Sequence, residues 1–181
     1  MFEAIATDII VASNINLRMT NKIFAYTRLA LSGYSLDQYV DSDLFFLLCY
    51  FKVTNKKLYD NIKEGQFTLQ ELLTQVEESL PSTIFKSDNR SLSDHHIAYA
   101  LADLIFKYNY SGIRGIPRDN SFKGKSLSDN SKELVFPITP KRISSEKLYE
   151  ALAYEEQRGR YNMYGLNSIF TKIDLINRLR F

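Results

Sequence analysis

Few residues of this chain have the types and spacing needed for chemistry, and one triplet resembles part of a nucleotide-binding loop. Gly124-Lys125-Ser126 matches the end of a phosphate-binding P-loop, in which backbone N–H groups and a lysine surround the phosphates. That motif requires another glycine five positions earlier, where this chain has Asp119. A carboxylate there would repel phosphate, and no apolar helix follows the triplet to offer its N-terminal dipole. Nucleotide hydrolysis is therefore not expected.

The histidines and the cysteine do not form a complete catalytic or metal-binding set. His95 and His96 are the only histidines, and adjacent residues of a regular helix point about 100° apart. With Cys49 as the single cysteine, no tetrahedral zinc set of His and Cys can form, and we predict that Cys49 is buried and inert. One histidine could act as a general base, but no nucleophile is identifiable beside it. The sequence therefore predicts no metal and no cofactor, and it leans against an enzyme.

The acidic residues offer no decisive catalytic pair. Glu77–Glu78 and Glu155–Glu156 are adjacent residues in predicted helices, and solvated positions explain them most simply. Asp41 and Asp43 could share a site, although Asp43 fits equally well as a residue of a first helical turn.

Basic residues close to aromatic ones form the pattern most typical of a binding surface. Phe122 lies between Arg118 and Lys123 in a polar, Gly/Ser/Asn-rich loop over 118–132. Basic side chains neutralise phosphates, and aromatic rings stack on unpaired bases. We therefore predict contacts to nucleic acid or to another partner from Arg114, Arg118, Phe122, Lys123, Lys125, Lys132, Arg158, Arg160 and Tyr161.

The charge distribution favours an anionic partner. Residues 1–111 contain 10 Lys/Arg and 13 Asp/Glu, whereas residues 112–181 contain 13 and 8, although an ordinary scatter of solvated charges would also give these counts. The leading prediction is a small cytoplasmic protein that docks this basic, aromatic-containing surface onto RNA, DNA or a ribonucleoprotein. The abundance of Lys, Asn and Ile is typical of an A/T-rich genome, which would suit a phage or mobile-element factor that inhibits a host defence complex.

Part of the chain resembles a known enzyme family. A helix over Leu101–Tyr110, then Gly112-Ile113-Arg114, a polar interval and Glu133–Pro137 is similar to the end of RES-type domains. Those are compact α+β proteins of the ADP-ribosyltransferase-like sort, with an Arg, Glu and Ser catalytic pattern. The nearest serine to the family's position is Ser121. The resemblance implies an NAD-consuming enzyme as an alternative function. A further alternative is a protein–protein inhibitor or scaffold whose apolar helices form a homodimer.

The elements that must position these residues are mostly helices. Thr68 and Glu71 form the sequence of a capping box, which predicts a helix N-terminus there, and Leu44–Val53 fits either a central helix or a buried strand. We predict helices over 14–31, 56–63 (capped by Thr54), 69–80, 95–108, 144–158 and 168–180, and short strands over Gly112–Pro117 and Glu133–Ile138.

The whole chain is predicted to be one globular domain over 1–181. Its class is helix-dominated α+β, with a small β element around 112–138 and a helical C-terminal part over 144–181. The hydrophobic content of 45% and the charged content of 24% are ordinary for a globular protein. No apolar run approaches the roughly 20 residues that cross a bilayer, and the first ten residues lack the basic region of a signal peptide, so no membrane partner is expected.

Overall fold

Two helices that are buried along most of their length form the centre of the protein. The computed structural model describes residues 2–34, 40–85, 92–111, 118–126, 134–158 and 165–175. The helices of these ranges are α1 (Phe2–Ser13), α2 (Leu17–Leu31), α3 (Ser42–Thr54), α4 (Lys56–Glu64), α5 (Leu69–Ser79), α6 (Leu92–Tyr110), α7 (Ser145–Arg158) and α8 (Leu166–Leu175). A 3₁₀ turn, Ser82–Phe85, follows α5, and α3 and α6 are the two central helices.

Helix α3 resolves the ambiguity over Leu44–Val53. Every residue from Asp43 to Phe51 is buried, because α1, α2, α4 and α6 all pack against this helix. A helix that is apolar on all sides shows no period in its sequence, so its pattern could not be told from that of a buried strand. Cys49 lies within it, which confirms the prediction that it is buried, and this burial raises the pKa of the thiol to about 12.

The prediction of an α+β domain is wrong, because the described residues form a nearly all-α fold. Their only β structure is a two-residue antiparallel ladder of β1 (Lys125–Ser126) and β2 (Leu134–Val135), with Lys125 opposite Val135. The strand predicted over Glu133–Ile138 is thus reduced to two residues, and that over Gly112–Pro117 lies outside the described residues. The apolar residues Phe136 and Ile138 are instead buried in the helical core.

The start of α5 confirms the capping box. Thr68 Oγ1 accepts a hydrogen bond from the Glu71 N–H at 3.2 Å, and Thr68 N–H donates to Glu71 Oε2 at 2.8 Å. The Thr68 hydroxyl also donates to Glu71 Oε2 at 2.9 Å, and the two hydrogen bonds that Thr68 donates to this carboxylate lower the pKa of Glu71. The predicted cap of α4 is wrong by one residue: the side chain of Asn55 accepts from the Leu58 N–H, because Thr54 still belongs to α3.

Buried Glu77 connects α5 to the start of α7. Its carboxylate accepts hydrogen bonds from the N–H groups of Lys141, Arg142 and Ile143 at 2.8–3.1 Å. Arg142 Nη1 also donates to the Glu77 carbonyl oxygen at 3.0 Å. The solvated position predicted for Glu77 is therefore wrong, because this side chain satisfies the backbone N–H groups that precede a helix.

Asp174 holds α8 against α3 and α4. It accepts hydrogen bonds from Lys52 Nζ at 2.7 Å, Lys63 Nζ at 2.6 Å and the Tyr59 hydroxyl at 2.9 Å. Burial alone would raise the pKa of Asp174, but these three donors outweigh it and lower the pKa. The carboxylate is therefore a structural anchor.

No helix among the described residues is both long and apolar enough to cross a membrane.

We predict that Thr68→Ala lowers the free energy of unfolding by about 1 kcal/mol, because it removes the N-cap acceptor of α5. Urea denaturation followed by circular dichroism measures this loss. Gln75→Ala, which changes an exposed residue of the same helix, is the control and should change stability by less than about 0.5 kcal/mol. Equal losses in the two variants would contradict the capping role.

We predict that Glu77→Ala lowers the free energy of unfolding by at least about 3 kcal/mol. Each of three backbone N–H groups loses a charged acceptor, and a buried donor left unsatisfied costs about 1–3 kcal/mol. Equilibrium urea denaturation is again the measurement. Glu78→Gln, at the exposed neighbouring position, should leave stability nearly unchanged.

Candidate functional site

The predicted contact residues are only partly within the described chain. Arg118, Phe122, Lys123 and Lys125 belong to the segment 118–126. The others lie outside the described residues, or have their side chain outside them: Arg114, Lys132, Arg158, Arg160 and Tyr161.

The start of segment 118–126 is fixed to the C-terminal end of α6 by Asn109. The Asn109 side chain donates to the Asp119 carbonyl oxygen at 3.2 Å and accepts from the Asp119 N–H at 2.8 Å. The Arg118 N–H donates to the Asn109 carbonyl oxygen at 2.8 Å. Asn109 itself is fully buried, so these bonds hold the segment in a defined position on the helix.

Arg118 makes its contacts within the protein. Its Nε donates to the Tyr108 carbonyl oxygen at 3.1 Å, and its Nη1 donates to the Gly65 carbonyl oxygen at 3.3 Å. The guanidinium also lies 4.8 Å from the centre of the Tyr108 ring. Gly65 ends α4 with a φ of 70°, and a side chain there would collide with the guanidinium. Arg118 therefore fastens the segment to the end of α4.

Phe122 is part of the core, so its predicted role as a stacking ring for a partner is wrong. The side chain is only 3% exposed. Its ring centre lies 5.7 Å from that of Phe106 and 5.5 Å from that of Phe136. An aromatic ring gains more from burial between two others than from exposure on a polar loop. Phe122 thus anchors the segment to the hydrophobic core.

Two of the predicted contact residues, Lys123 and Lys125, have exposed side chains that serve no role within the described part of the fold. Lys125 lies on β1, and Lys123 follows the buried ring of Phe122. We call these two residues the lysine ledge. Their ammonium groups are presented to solvent on a segment that is fixed at residues 118–122 and paired with β2 at Lys125 and Ser126.

A second feature, the acidic cleft, lies where the start of α3 meets α6 and α7. It is a cavity of about 300 Å³. Its walls carry four carboxylates and two tyrosines: Asp41, Asp43, Asp103, Glu155, Tyr99 and Tyr154. Asp41 and Asp43 therefore do share a site. The solvated position predicted for Glu155 is wrong, since this residue is only 7% exposed.

Lys107 is buried beside the acidic cleft. Its ammonium donates to Asp41 Oδ2 at 2.7 Å and also to Asp103 Oδ1. Burial alone would lower the pKa of Lys107, but the two carboxylates outweigh it and raise the pKa, so the lysine stays charged. Burial raises the pKa of Asp103 to about 7, with Lys107 opposing this effect. The cleft is thus built on a buried group of ionisable side chains.

Two buried polar atoms near the acidic cleft have no hydrogen-bond partner among the described residues. They are Asp43 Oδ1 and His96 Nδ1. Burial raises the pKa of Asp43, while the nearby His96 opposes that rise. Burying a polar atom without a partner costs about 1–3 kcal/mol of stability. The described fold leaves these two atoms without a hydrogen bond.

The two histidines lie within α6, because this helix begins at Leu92 and not at His95. His95 is exposed, with its ring centre 4.7 Å from that of Tyr99. Within the part of the chain that the structure describes, no three or more His, Cys, Asp or Glu residues are placed to hold a metal ion.

Comparisons with family models, with curated proteins and with solved structures find no match to this chain. The resemblance to RES-type domains stays a prediction, since Gly112-Ile113-Arg114 and Glu133 lie outside the described residues. Ser121, the nearest serine to that family's position, is exposed and donates to Asp119 Oδ1 at 2.6 Å.

We predict that Lys107→Met lowers the free energy of unfolding by about 3–5 kcal/mol at pH 7.5, because it leaves Asp103 buried without its counter-charge. Loss of the ammonium raises the pKa of Asp103 further in the folded state. Because the pKa of wild-type Asp103 is about 7, the two proteins differ in the charge of this carboxyl only above that pH, so the deficit should be larger at pH 9.0. Chemical denaturation at both pH values measures it, and an equal deficit at both would contradict the ion-pair account.

Proposed function

We propose that this protein binds an anionic partner, a nucleic acid or a ribonucleoprotein, through the lysine ledge. The observation that carries the proposal is that Lys123 and Lys125 are exposed on a segment fixed to the body of the fold. Phosphate groups are the chemical partners that such ammonium groups attract most strongly in a nucleic acid.

The backbone that carries the lysine ledge is already held in place, which favours binding. A loop that must be ordered on association loses conformational freedom, which lowers affinity. Here Asn109, Arg118 and Phe122 hold the backbone before the partner arrives. The lysine side chains are then the main groups that lose freedom on binding.

The corrected role of Phe122 changes the kind of binding we expect. With that ring buried, the segment 118–126 offers charges for phosphates but no ring for bases. Phosphate contacts carry no sequence information, so binding should depend strongly on salt and weakly on sequence.

We predict that the double variant Lys123→Ala/Lys125→Ala weakens binding to a labelled single-stranded RNA by about tenfold or more at low salt. Loss of two phosphate contacts should also reduce the slope of log K against log salt by about 1.4. Fluorescence anisotropy across a salt series measures both quantities, and a duplex DNA of the same sequence tests whether binding is independent of strandedness.

The matched control is Lys56→Ala/Lys57→Ala, which removes the same charge from exposed positions on α4. It should change the affinity only slightly. Absence of binding to either nucleic acid at low salt, or an equal loss in both double variants, would overturn the proposal.

A further inference from the structure

We propose that the exposed side of α2 is a docking surface for an anionic lipid bilayer. Five exposed side chains form this surface, which we call the α2 face: Leu17, Arg18, Lys22, Phe24 and Arg28. The inference does not depend on the function proposed for the lysine ledge. It rests on the charge of α2, on the exposure of its apolar residues and on the spacing that puts both kinds of residue on one side of the helix.

The charged residues of the α2 face are all positive. Arg18, Lys22 and Arg28 are exposed, and none of them forms an ion pair with another described residue. Lys22 lies 5.6 Å from the centre of the Tyr26 ring, which leaves its charge uncompensated. No Asp or Glu occurs between residues 9 and 36 of the sequence. The α2 face is therefore a basic surface.

Charges on neighbouring elements do not cancel this surface. Helices α3 and α8 pack against α2, and Asp174 of α8 is paired with Lys52 of α3. Lys172 of α8 donates to a carbonyl oxygen just beyond the end of α2, and it adds a fourth positive charge there. Glu3 and Asp8 on α1 are the acidic residues that precede α2 in the sequence, and they offset at most two of these four charges.

Apolar side chains are exposed at the same place. The described residues include five large hydrophobic side chains that are exposed, and three of them, Val11, Leu17 and Phe24, fall within 14 consecutive residues. Leu17 is 73% exposed, and Val11, near the end of α1, is 75% exposed. A single exposed apolar residue is ordinary, but a group of them beside charged residues is typical of an interaction surface.

Helical spacing places the apolar and basic residues side by side. Leu17 and Phe24 are seven residues apart, so they lie on one side of the helix two turns from each other. Arg28 follows Phe24 by one turn, and Arg18 and Lys22 are likewise one turn apart. The opposite side of α2 is buried against its neighbouring helices. The face that remains thus combines positive charge with apolar groups.

An anionic bilayer offers partners for both kinds of side chain. Lipid phosphates and carboxylates attract arginine and lysine, while leucine and phenylalanine enter the boundary between headgroups and acyl chains. A nucleic acid would also attract the basic residues, and its bases could stack on Phe24. It offers no apolar partner to Leu17 and Val11, which are the two most exposed of these side chains. The observations therefore favour lipid.

This surface does not require a helix that crosses the bilayer. The expectation of no membrane partner rested on the length of the apolar runs and on the first ten residues, and both features concern insertion through a membrane. A helix that lies on the membrane needs only an exposed side of suitable chemistry.

Sedimentation of the full chain with lipid vesicles tests the proposal. Vesicles of phosphatidylcholine alone are compared with vesicles of equal parts phosphatidylcholine and phosphatidylserine. The affinity for the anionic vesicles should be at least about tenfold higher and should fall as salt is added. Absence of binding to the anionic vesicles, or equal binding to both kinds, would overturn the proposal.

Variants of the α2 face locate the docking surface. Arg18→Gln/Lys22→Gln should weaken binding to the anionic vesicles by about tenfold or more, and Leu17→Ser by about threefold or more. The matched control is Lys56→Gln/Lys57→Gln, which removes the same charge from exposed positions on α4. Equal losses in the two charge variants would overturn the assignment to α2. All of these positions are exposed, and circular dichroism checks that each variant folds.

A tryptophan reporter shows whether α2 itself meets the lipid. The chain contains no tryptophan, so Phe24→Trp introduces a single indole on the α2 face. Its emission should shift to shorter wavelength when anionic vesicles are added, because the ring leaves water. Tyr154→Trp, at a half-exposed aromatic position on α7, is the control and should not shift. An unshifted emission from vesicle-bound Phe24→Trp would overturn the proposal.

The lysine-ledge variant separates this proposal from the proposed function. Lys123→Ala/Lys125→Ala should keep its affinity for the anionic vesicles within about twofold. Arg18→Gln/Lys22→Gln should likewise keep its affinity for single-stranded RNA. A loss of RNA binding in Arg18→Gln/Lys22→Gln that equals its loss of vesicle binding would assign the α2 face to nucleic acid and overturn the proposal.

Discussion

Helix α6 is enclosed by other elements along most of its length, so the polar side chains on its buried faces must find their partners inside the protein. From Ala100 to Asn109 every residue is buried, and Asp103, Lys107 and Asn109 are among them. Because an unpaired buried polar group is costly, Lys107 and Asn109 each bond to a group outside the helix, while Asp103 accepts from Lys107 within it. Lys107 holds Asp41 in front of α3, and Asn109 holds the backbone of Asp119.

Residues of α6 therefore position both candidate surfaces, the acidic cleft and the lysine ledge. Lys107 organises the acidic cleft, whereas Asn109 is the base of the segment that carries the lysine ledge. The division of charge along the sequence does not predict this arrangement. Glu155 belongs to the basic second half of the chain, yet it faces the same cavity as the aspartates of the first half. Folding, and not sequence order, assembles the local charge.

The sequence could predict features that depend on neighbouring residues, but not features that depend on residues far apart in the chain. The capping box of Thr68 and Glu71 involves four consecutive residues, and the structure confirms it. Helix α3 was ambiguous because complete burial removes periodicity. Of the two apolar runs that suggested strands, only the second has described residues, and its Phe136 and Ile138 are buried in the helical core. The acidic cleft could not be found, because its carboxylates come from positions 41, 43, 103 and 155, and no spacing links them. The burial of Phe122 likewise depends on the distant rings of Phe106 and Phe136.

The burial of Lys107 cannot be explained by stability alone. A buried ion pair loses so much hydration that apolar residues of similar volume often give an equally stable or a more stable protein. An apolar residue in place of Lys107 could not hold the carboxylates of Asp41 and Asp103 together at the edge of the cavity. The lysine also limits the rise in the pKa of Asp103, which would otherwise favour the neutral acid still more strongly. A buried ammonium therefore serves here to hold two carboxylates in place beside an open cavity.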